Sequence, residues 1–392
     1  MTEPRTQRTA SGAPPTRRPN PLLGLPRREW PLLVSLATAG LFLGFGKYWL
    51  ADLSHPAWFT VLLAWLFAAI LLSALAVVRH AESLAVKLGE PLGTLVLTLS
   101  MVGIEVMMIG AVMSTGHGNA TLARDAMFGV LMIVLNGMVG LSLLLGGLRY
   151  REQTYNLQGA NAFLAVIMPL AVLSLILPDF TESAPGPTLS PLHTAFLVIM
   201  SVGLYGVFLA IQTARHRDYF LPPADAGRPG GHEAGAHHEH EVRSAAYHTL
   251  LLLAYLAPTV YLAEEIAIPI DYGIHVLHAP AGLGGFLVSV LVLFPESAAA
   301  ARAALSNQLQ RSVNLLFGTV LSSISLTVPA ALAIGFLTGQ TVVLGLDAVN
   351  AVLLLLTLAV TVLTFSSART NVLLGAVHLL LFLAYVMLIF ES

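Results

Sequence analysis

Eleven stretches of this chain are each about twenty residues long and nearly free of charge, and that length of apolar residues matches the hydrocarbon thickness of a bilayer. They run at roughly 31–50, 57–78, 91–113, 126–148, 159–177, 192–213, 245–268, 279–300, 313–336, 341–364 and 371–390. Inside a bilayer no water is at hand for the backbone, so each stretch must close its own hydrogen bonds as a helix. The expected fold class is an all-α polytopic membrane protein of about eleven transmembrane helices. Composition agrees: the chain is 56% hydrophobic and only 10% charged, where a soluble domain is about a quarter charged. There is no cysteine, which excludes disulfides, thiol catalysis and iron–sulfur clusters. No basic patch interleaved with aromatics is present, so nucleic acid is not an expected partner.

Basic residues orient the chain. With the N-terminus in the cytoplasm, all but Lys47 and Arg124 of the 19 Lys and Arg fall on the inner side. The outer side is left acidic, with Asp52, Asp125, Asp179, Glu182, Glu264, Glu265, Asp271, Asp347 and Glu391. Residues 1–30, rich in Arg, Pro and Thr, read as a disordered cytoplasmic tail. The first apolar run begins too late and runs too long for a signal peptide. The rest divides into a first helix (31–56), a five-span unit (57–213), a cytoplasmic linker (214–244) and a second five-span unit (245–392). The linker is rich in His and Glu. His232, His237, His238 and His240 there are weak candidates for metal binding or pH sensing.

Two spans carry a carboxylate that a mere anchor would not. Glu105 and Glu296 lie inside apolar segments, where a charge costs about 2.5–3.5 kcal/mol even on the mildest insertion scale. Gly93 precedes Glu105, and Gly284 precedes Glu296, by the same twelve positions. The first segment runs inside to outside and the second outside to inside, as inverted repeats require. Arg124 is followed at twelve positions by Asn136, and Arg311 at twelve by Ser323. The arrangement predicts one first helix plus two inverted five-helix repeats, with a single ion site between them. Burial favours the protonated acid and a bound cation favours the ionised one. A site that holds either protons or a cation, but not both, is the minimal requirement for antiport.

Two carboxylates neutralise one divalent ion, yet calcium takes roughly six to eight oxygens. Candidate additional ligands are Thr98 and Ser289, each seven residues before its glutamate, and Asn136, Ser322, Ser323 and Ser325 in the following spans. Pro295 denies the carbonyl of Leu291 its helical donor, which makes that carbonyl a further candidate. Gly103, Gly137 and Gly140 predict close helix approach. Glu264, Glu265 and Asp271, with His275 and His278, form a weaker candidate for an outer cation funnel.

These segments carry a family resemblance. The run Gly89-Glu90-Pro91-Leu92-Gly93-Thr94-Leu95 through Ile104-Glu105-Val106 resembles the first α-repeat of the calcium/cation antiporter superfamily. So do Asn119 to Asp125 and Met132 to Gly137 with Gly146-Gly147-Leu148-Arg149. Leu291 to Glu296 and on through Asn307 to Asn314 resembles the second repeat. Within the superfamily the bacterial calcium/sodium–proton antiporters are the nearest in pattern. The resemblance implies eleven spans, a bacterial inner membrane and cation/proton exchange by alternating access. It implies transported Ca²⁺, Na⁺ or K⁺ with H⁺, no cofactor, and essential carboxylates at Glu105 and Glu296. The vacuolar type carries Gly-Asn three to four residues before each glutamate. Here Met101-Val102 and Val292-Leu293 stand in those places, which leaves the choice among these cations open. A cation channel or uncoupled transporter is the rival reading. An intramembrane metalloprotease finds no His-Glu-x-x-His, the histidines clustering in loops with His378 alone in the last span.

Overall fold

In a computed structural model the described residues are 29–89, 92–114, 120–182, 188–223, 244–280 and 282–391. Residues 1–28 of the expected tail and the His-rich stretch that holds His232, His237, His238 and His240 lie outside them; the tail's last two residues do not fit that expectation, since Trp30 opens α1 and Glu29 is buried beside Arg79. Among the described residues the chain is a bundle of eleven long helices. They are α1 (Trp30–Trp49), α2 (Pro56–Leu88), α3 (Leu92–Ser114), α4 (Leu122–Tyr150), α5 (Leu157–Leu175) and α6 (Pro191–Arg215). After these come α7 (Ala245–His275), α8 (Gly282–Leu305), α9 (Leu309–Thr338), α10 (Ala348–Thr364) and α11 (Val372–Glu391). Nine are long and apolar enough to cross a membrane. The other two, α3 and α10, hold shorter apolar stretches at Thr98–Gly110 and Ala348–Thr364.

Local chemistry sets the ends. Asn156, Ser190 and Ser244 cap α5, α6 and α7 by accepting backbone N–H groups two or three residues on, which satisfies donors that a helix start leaves unpaired. Gly339, at φ +70°, ends α9 in the left-handed conformation, which favours glycine. The tenth span was expected over 341–364, but its helix begins at Ala348. Asp347 accepts from Val349 and Asn350 N–H at 3.0 Å and so marks the start. The apolar residues before it are not helical: Val343 N–H bonds the Ala120 carbonyl and Leu346 N–H the Leu175 carbonyl. The helices α2 and α7 are longer than the apolar runs predicted. Helix α2 takes in His80 beyond its expected end, and His248 lies within the span expected at 245–268; both are buried, so the histidines are not confined to loops and the last span.

The connections sort into two end faces, in the alternation that the basic residues predicted. Gln153–Thr154 pairs antiparallel with Arg369–Thr370, and Tyr150 and Gln153 bond the carbonyls of Leu305 and Ala304 on the same basic face. On the opposite face Arg124 bonds the Gly345 carbonyl at 3.0 Å.

The two five-helix units α2–α6 and α7–α11 repeat one order of elements. Each has a very long helix, then a glutamate helix, then a helix interrupted by a π-helical segment. Those segments are Ile133–Met138 in α4 and Ser323–Thr327 in α9. Single π turns inside α-helices recur at functional sites.

Packing places the glutamate helices at a seam. One apolar cluster joins Phe42 of α1, Leu62 and Leu66 of α2 and Leu262 of α7 to Ile104 and Met108 of α3 and Val288 and Leu291 of α8. The other joins α4, α5, α9, α10 and α11 to Ile109 of α3 and Leu293 and Ala300 of α8. Helices α3 and α8 thus show one face to each group. Glycine allows the closest crossings. A Cβ at Gly285 of α8 would stand 2.7 Å from the Asp125 carbonyl carbon, and one at Gly140 of α4 would stand 2.9 Å from the Leu379 nitrogen of α11. Gly137 meets the Phe382 ring, but Gly103 has nothing within 4 Å and plays no such part.

Candidate functional site

Both expected carboxylates are brought to the seam and taken out of water. Glu105 and Glu296 are each 4% exposed, and the helices that carry them, α3 and α8, pack against one another. Their surroundings differ. The Ser323 hydroxyl, first residue of the α9 π segment, contacts both Glu105 oxygens, Oε1 at 2.5 Å and Oε2 at 2.7 Å. Glu296 Oε2 is buried and has no hydrogen-bond partner among the described residues. A buried oxygen acceptor without a donor is costly. It is relieved when a proton or a cation binds there.

The other predicted ligands divide. Ser325 is fully buried and its hydroxyl has no partner among the described residues, so it is free to turn to an ion, whereas the buried hydroxyl of Thr327, which the sequence reading passed over, interacts with Glu105. Asn136 is fully buried but engaged elsewhere: its Nδ2 donates to Thr357 Oγ1 at 2.8 Å, and its Oδ1 lies 3.4 Å from His378 Nδ1. Ser289 donates to the carbonyls of Gly285 and Ala126 at 2.8 and 2.9 Å. It ties α8 to α4 rather than facing the carboxylates. Ser322 donates back to the Thr319 carbonyl of its own helix at 3.1 Å, as hydroxyls in helices commonly do. Thr98 interacts with the Tyr205 hydroxyl of α6. Helix α8 continues through Pro295 to Leu305, so the ring denies a donor to the Leu291 carbonyl one turn earlier.

The spacing of twelve from Arg124 to Asn136 and from Arg311 to Ser323 does not mark equivalent places. Asn136 is the fourth residue of its π segment and Ser323 the first of its own.

The expected outer funnel is only half assembled. Asp271, paired with His275 at 3.2 Å, lines a cavity of about 270 Å³ with Asp52 and the Leu50–Ser54 loop. Glu264, Glu265 and His278 do not line it. Glu264 is exposed, while Glu265 is half-buried and interacts with the Tyr261 hydroxyl. On the basic face Glu82 of α2 is exposed. Its only signal in the sequence was an acid among Arg79 and Lys87.

A helical membrane bundle with two buried carboxylates at the seam of its repeated units points to a cation antiporter. The chain belongs to the family of sodium/calcium exchanger proteins, whose pattern matches residues 58–214 and 247–391. It is 42% identical over 312 residues to y4hA of Sinorhizobium fredii, spanning 79% of this chain and 83% of that one. It is 40% identical over 325 residues to the sodium-potassium/proton antiporter ChaA of Escherichia coli, spanning 82% and 86%. The solved structure of YfkE superposes with a TM-score of 0.70 at 16% identity, covering 92% of this chain and all of that one, and shares the fold.

Proposed function

We propose that this antiporter exchanges Na⁺, K⁺ or Ca²⁺ for protons, with Glu105 and Glu296 as the site both ions compete for. The ion identities rest on the family description and on the name of the E. coli relative. The observation that carries the site is Glu296, a carboxylate buried at the seam with one oxygen unpartnered. Such a group cannot stay both ionised and empty at low cost. It therefore holds a proton in one phase of the cycle and shares a cation with Glu105 in the other. Ser325, Thr327 and the Leu291 carbonyl supply further oxygens. Rocking of the α1–α2–α7 group against the α4-to-α6 and α9-to-α11 group would open the seam to each side in turn, as in repeat-built transporters.

We read the basic face, with Glu82, as cytoplasmic, the membrane as a bacterial inner membrane, and the protein as a transporter rather than an enzyme. The division into a first helix, two repeats and a central linker at 214–244 belongs to the same reading, as do lipid, inorganic cations and protons as its partners.

The test uses everted vesicles holding a respiration-driven pH gradient, read by a fluorescent weak base. Na⁺, K⁺, Ca²⁺ and Mg²⁺ are added separately to the intact protein and to Glu105→Gln and Glu296→Gln. The expected result is collapse of the gradient by one or more cations, abolished by either substitution. Cation flux without proton movement would instead indicate a channel. Unchanged exchange in both variants would refute the site.

A further inference from the structure

The two repeats treat their glutamates unequally. In the second repeat the π segment of α9 turns Ser323 onto Glu105, the glutamate of the first repeat. Inverted symmetry sets the π segment of α4 against Glu296, although Asn136 is not the positional counterpart of Ser323 within it. The polar residue of that segment is Asn136, and the segment packs against α8, which carries Glu296. The contact is not made, and Glu296 Oε2 is left without a partner among the described residues. Asn136 is held by α10 and α11 instead.

His378 of α11 does the holding. Its imidazole is fully buried. Nδ1 lies 3.4 Å from Asn136 Oδ1, and Nε2 lies 3.0 Å from Thr364 Oγ1. It also bonds the backbone of Leu135, inside the π segment. A neutral imidazole satisfies this set, with N–H on Nδ1 donating toward α4 and Nε2 accepting from Thr364. The crossing that brings it there depends on Gly140, where a Cβ would stand 3.0 Å from His378 Cβ. Thr357 completes the latch from α10 at 2.8 Å. Among the described residues no charged side chain takes part in these contacts.

We propose that His378 is a positioning residue for transport: it latches the Asn136 carboxamide against α10 and α11, away from Glu296, and Asn136 leaves this latch to join Glu296 when the cation binds. The inference rests on the reading of Glu105 and Glu296 as the exchange site. Asn136 then has two stations, and the latch opposes cation binding by the strength of its hydrogen bonds. It also keeps the carboxamide from filling the site when a proton should take the cation's place.

The experiment measures apparent KM and maximal rate in everted vesicles, with whichever of Na⁺, K⁺ or Ca²⁺ collapses the gradient at the lowest concentration. The variants are His378→Leu, His378→Gln, Thr364→Val, Asn136→Ala and the double variant His378→Leu/Asn136→Ala. Loss of the latch in His378→Leu is expected to lower KM about 2- to 10-fold, the range that one neutral hydrogen bond is worth. His378→Gln, which keeps a donor, restores KM toward the original. Asn136→Ala raises KM, and in that background His378→Leu produces no further change, because the histidine acts only through the asparagine. Should His378→Leu fail to insert, Thr364→Val loosens the same latch from its far end and is expected to lower KM by a smaller factor.

An equal KM shift for His378→Leu with and without Asn136 would overturn the proposal. So would an unchanged KM in His378→Leu, or in Thr364→Val where that variant decides, while Asn136→Ala still raises it. In those outcomes the site itself stands. An unchanged KM in Asn136→Ala overturns the latch from the other side, by showing that the carboxamide never serves the cation. Loss of all exchange dependence on Glu105 and Glu296 is the separate result that defeats the site.

Discussion

Two adjacent serines, Ser322 and Ser323, have the same residue type, the same helix and nearly the same burial, yet the structure assigns them opposite weight. Ser323 bonds both oxygens of Glu105. Ser322 bonds only the carbonyl of Thr319 in its own helix. A hydrogen bond to an ionised group is worth about 1.5–3 kcal/mol, and about 1.4 kcal/mol is a factor of ten in affinity. Ser323→Ala removes a donor that supports the ionised carboxylate, the form a cation requires. Protons then compete better, and apparent KM for the cation is expected to rise about 10- to 100-fold at fixed pH. Raising the pH should recover part of the loss. Ser322→Ala leaves its carbonyl partner within the helix ladder and should move KM by less than about threefold, within the ±0.5 kcal/mol or so of a neutral change. Ser323→Thr keeps the hydroxyl and should lie between the two. The assay is the proton-gradient collapse described above, with cation titrated at two pH values and membrane levels matched. Equal effects of the two alanine substitutions, or a KM for Ser323→Ala that stays within threefold, would refute the assignment of Ser323 to Glu105.

Other expectations follow from the packing. Gly285→Ala drives a methyl into the backbone of Asp125 and Ala126, so it should cost about 1–3 kcal/mol and lower thermal stability in detergent, while Gly282→Ala, whose nearest neighbour is 3.9 Å away, should not. Ser289→Ala loses the tie between α8 and α4 and should destabilise by about 1 kcal/mol with KM unchanged; a large KM rise would return Ser289 to the ligand set. Glu29, just before α1, is bound by Arg79 at 2.5 Å, Tyr255 at 3.0 Å and His80 at 3.3 Å. Burial alone would raise its carboxyl, but Arg79, Tyr255 and His80 outweigh burial and hold it below the ordinary 4.5. A lowered value means stability that is present above about 4.5 and lost as pH falls through the folded value. The melting temperature in detergent should therefore drop less between roughly pH 5 and pH 3 in Glu29→Gln than in the parent, and an equal drop would show that this anchor does not titrate.

Glu105 and Glu296 were legible because a carboxylate inside an apolar run is an anomaly that local chemistry cannot explain away. The eleven helices were legible for a similar reason: the bilayer imposes length and internal hydrogen bonding on each segment separately. Where another segment supplied the partner, prediction failed. The apolar residues before Ala348 looked like helix, but they are not helical, and their N–H groups at Val343 and Leu346 bond the carbonyls of Ala120 and Leu175. Ser289 matched Thr98 by spacing, yet its hydroxyl is spent on α4. His378 looked isolated because its partners are on other helices. A signal was present in Thr357, Thr361 and Thr364, which share one side of α10, though nothing in the chain said what faced it.

The sequence by itself determined the membrane class, the number and alternation of helices, and the two carboxylates. These follow from solvation, and the free energy of a buried charge or an apolar run depends on the residue and its immediate neighbours. Only the tertiary structure decided that Ser323 serves Glu105, that Glu296 keeps an unpartnered oxygen, and that Asn136 is turned toward His378. Hydrogen bonds act over about 3 Å, and residues 218 and 242 positions apart reach that distance only when two π segments and a glycine crossing have set the helices against one another.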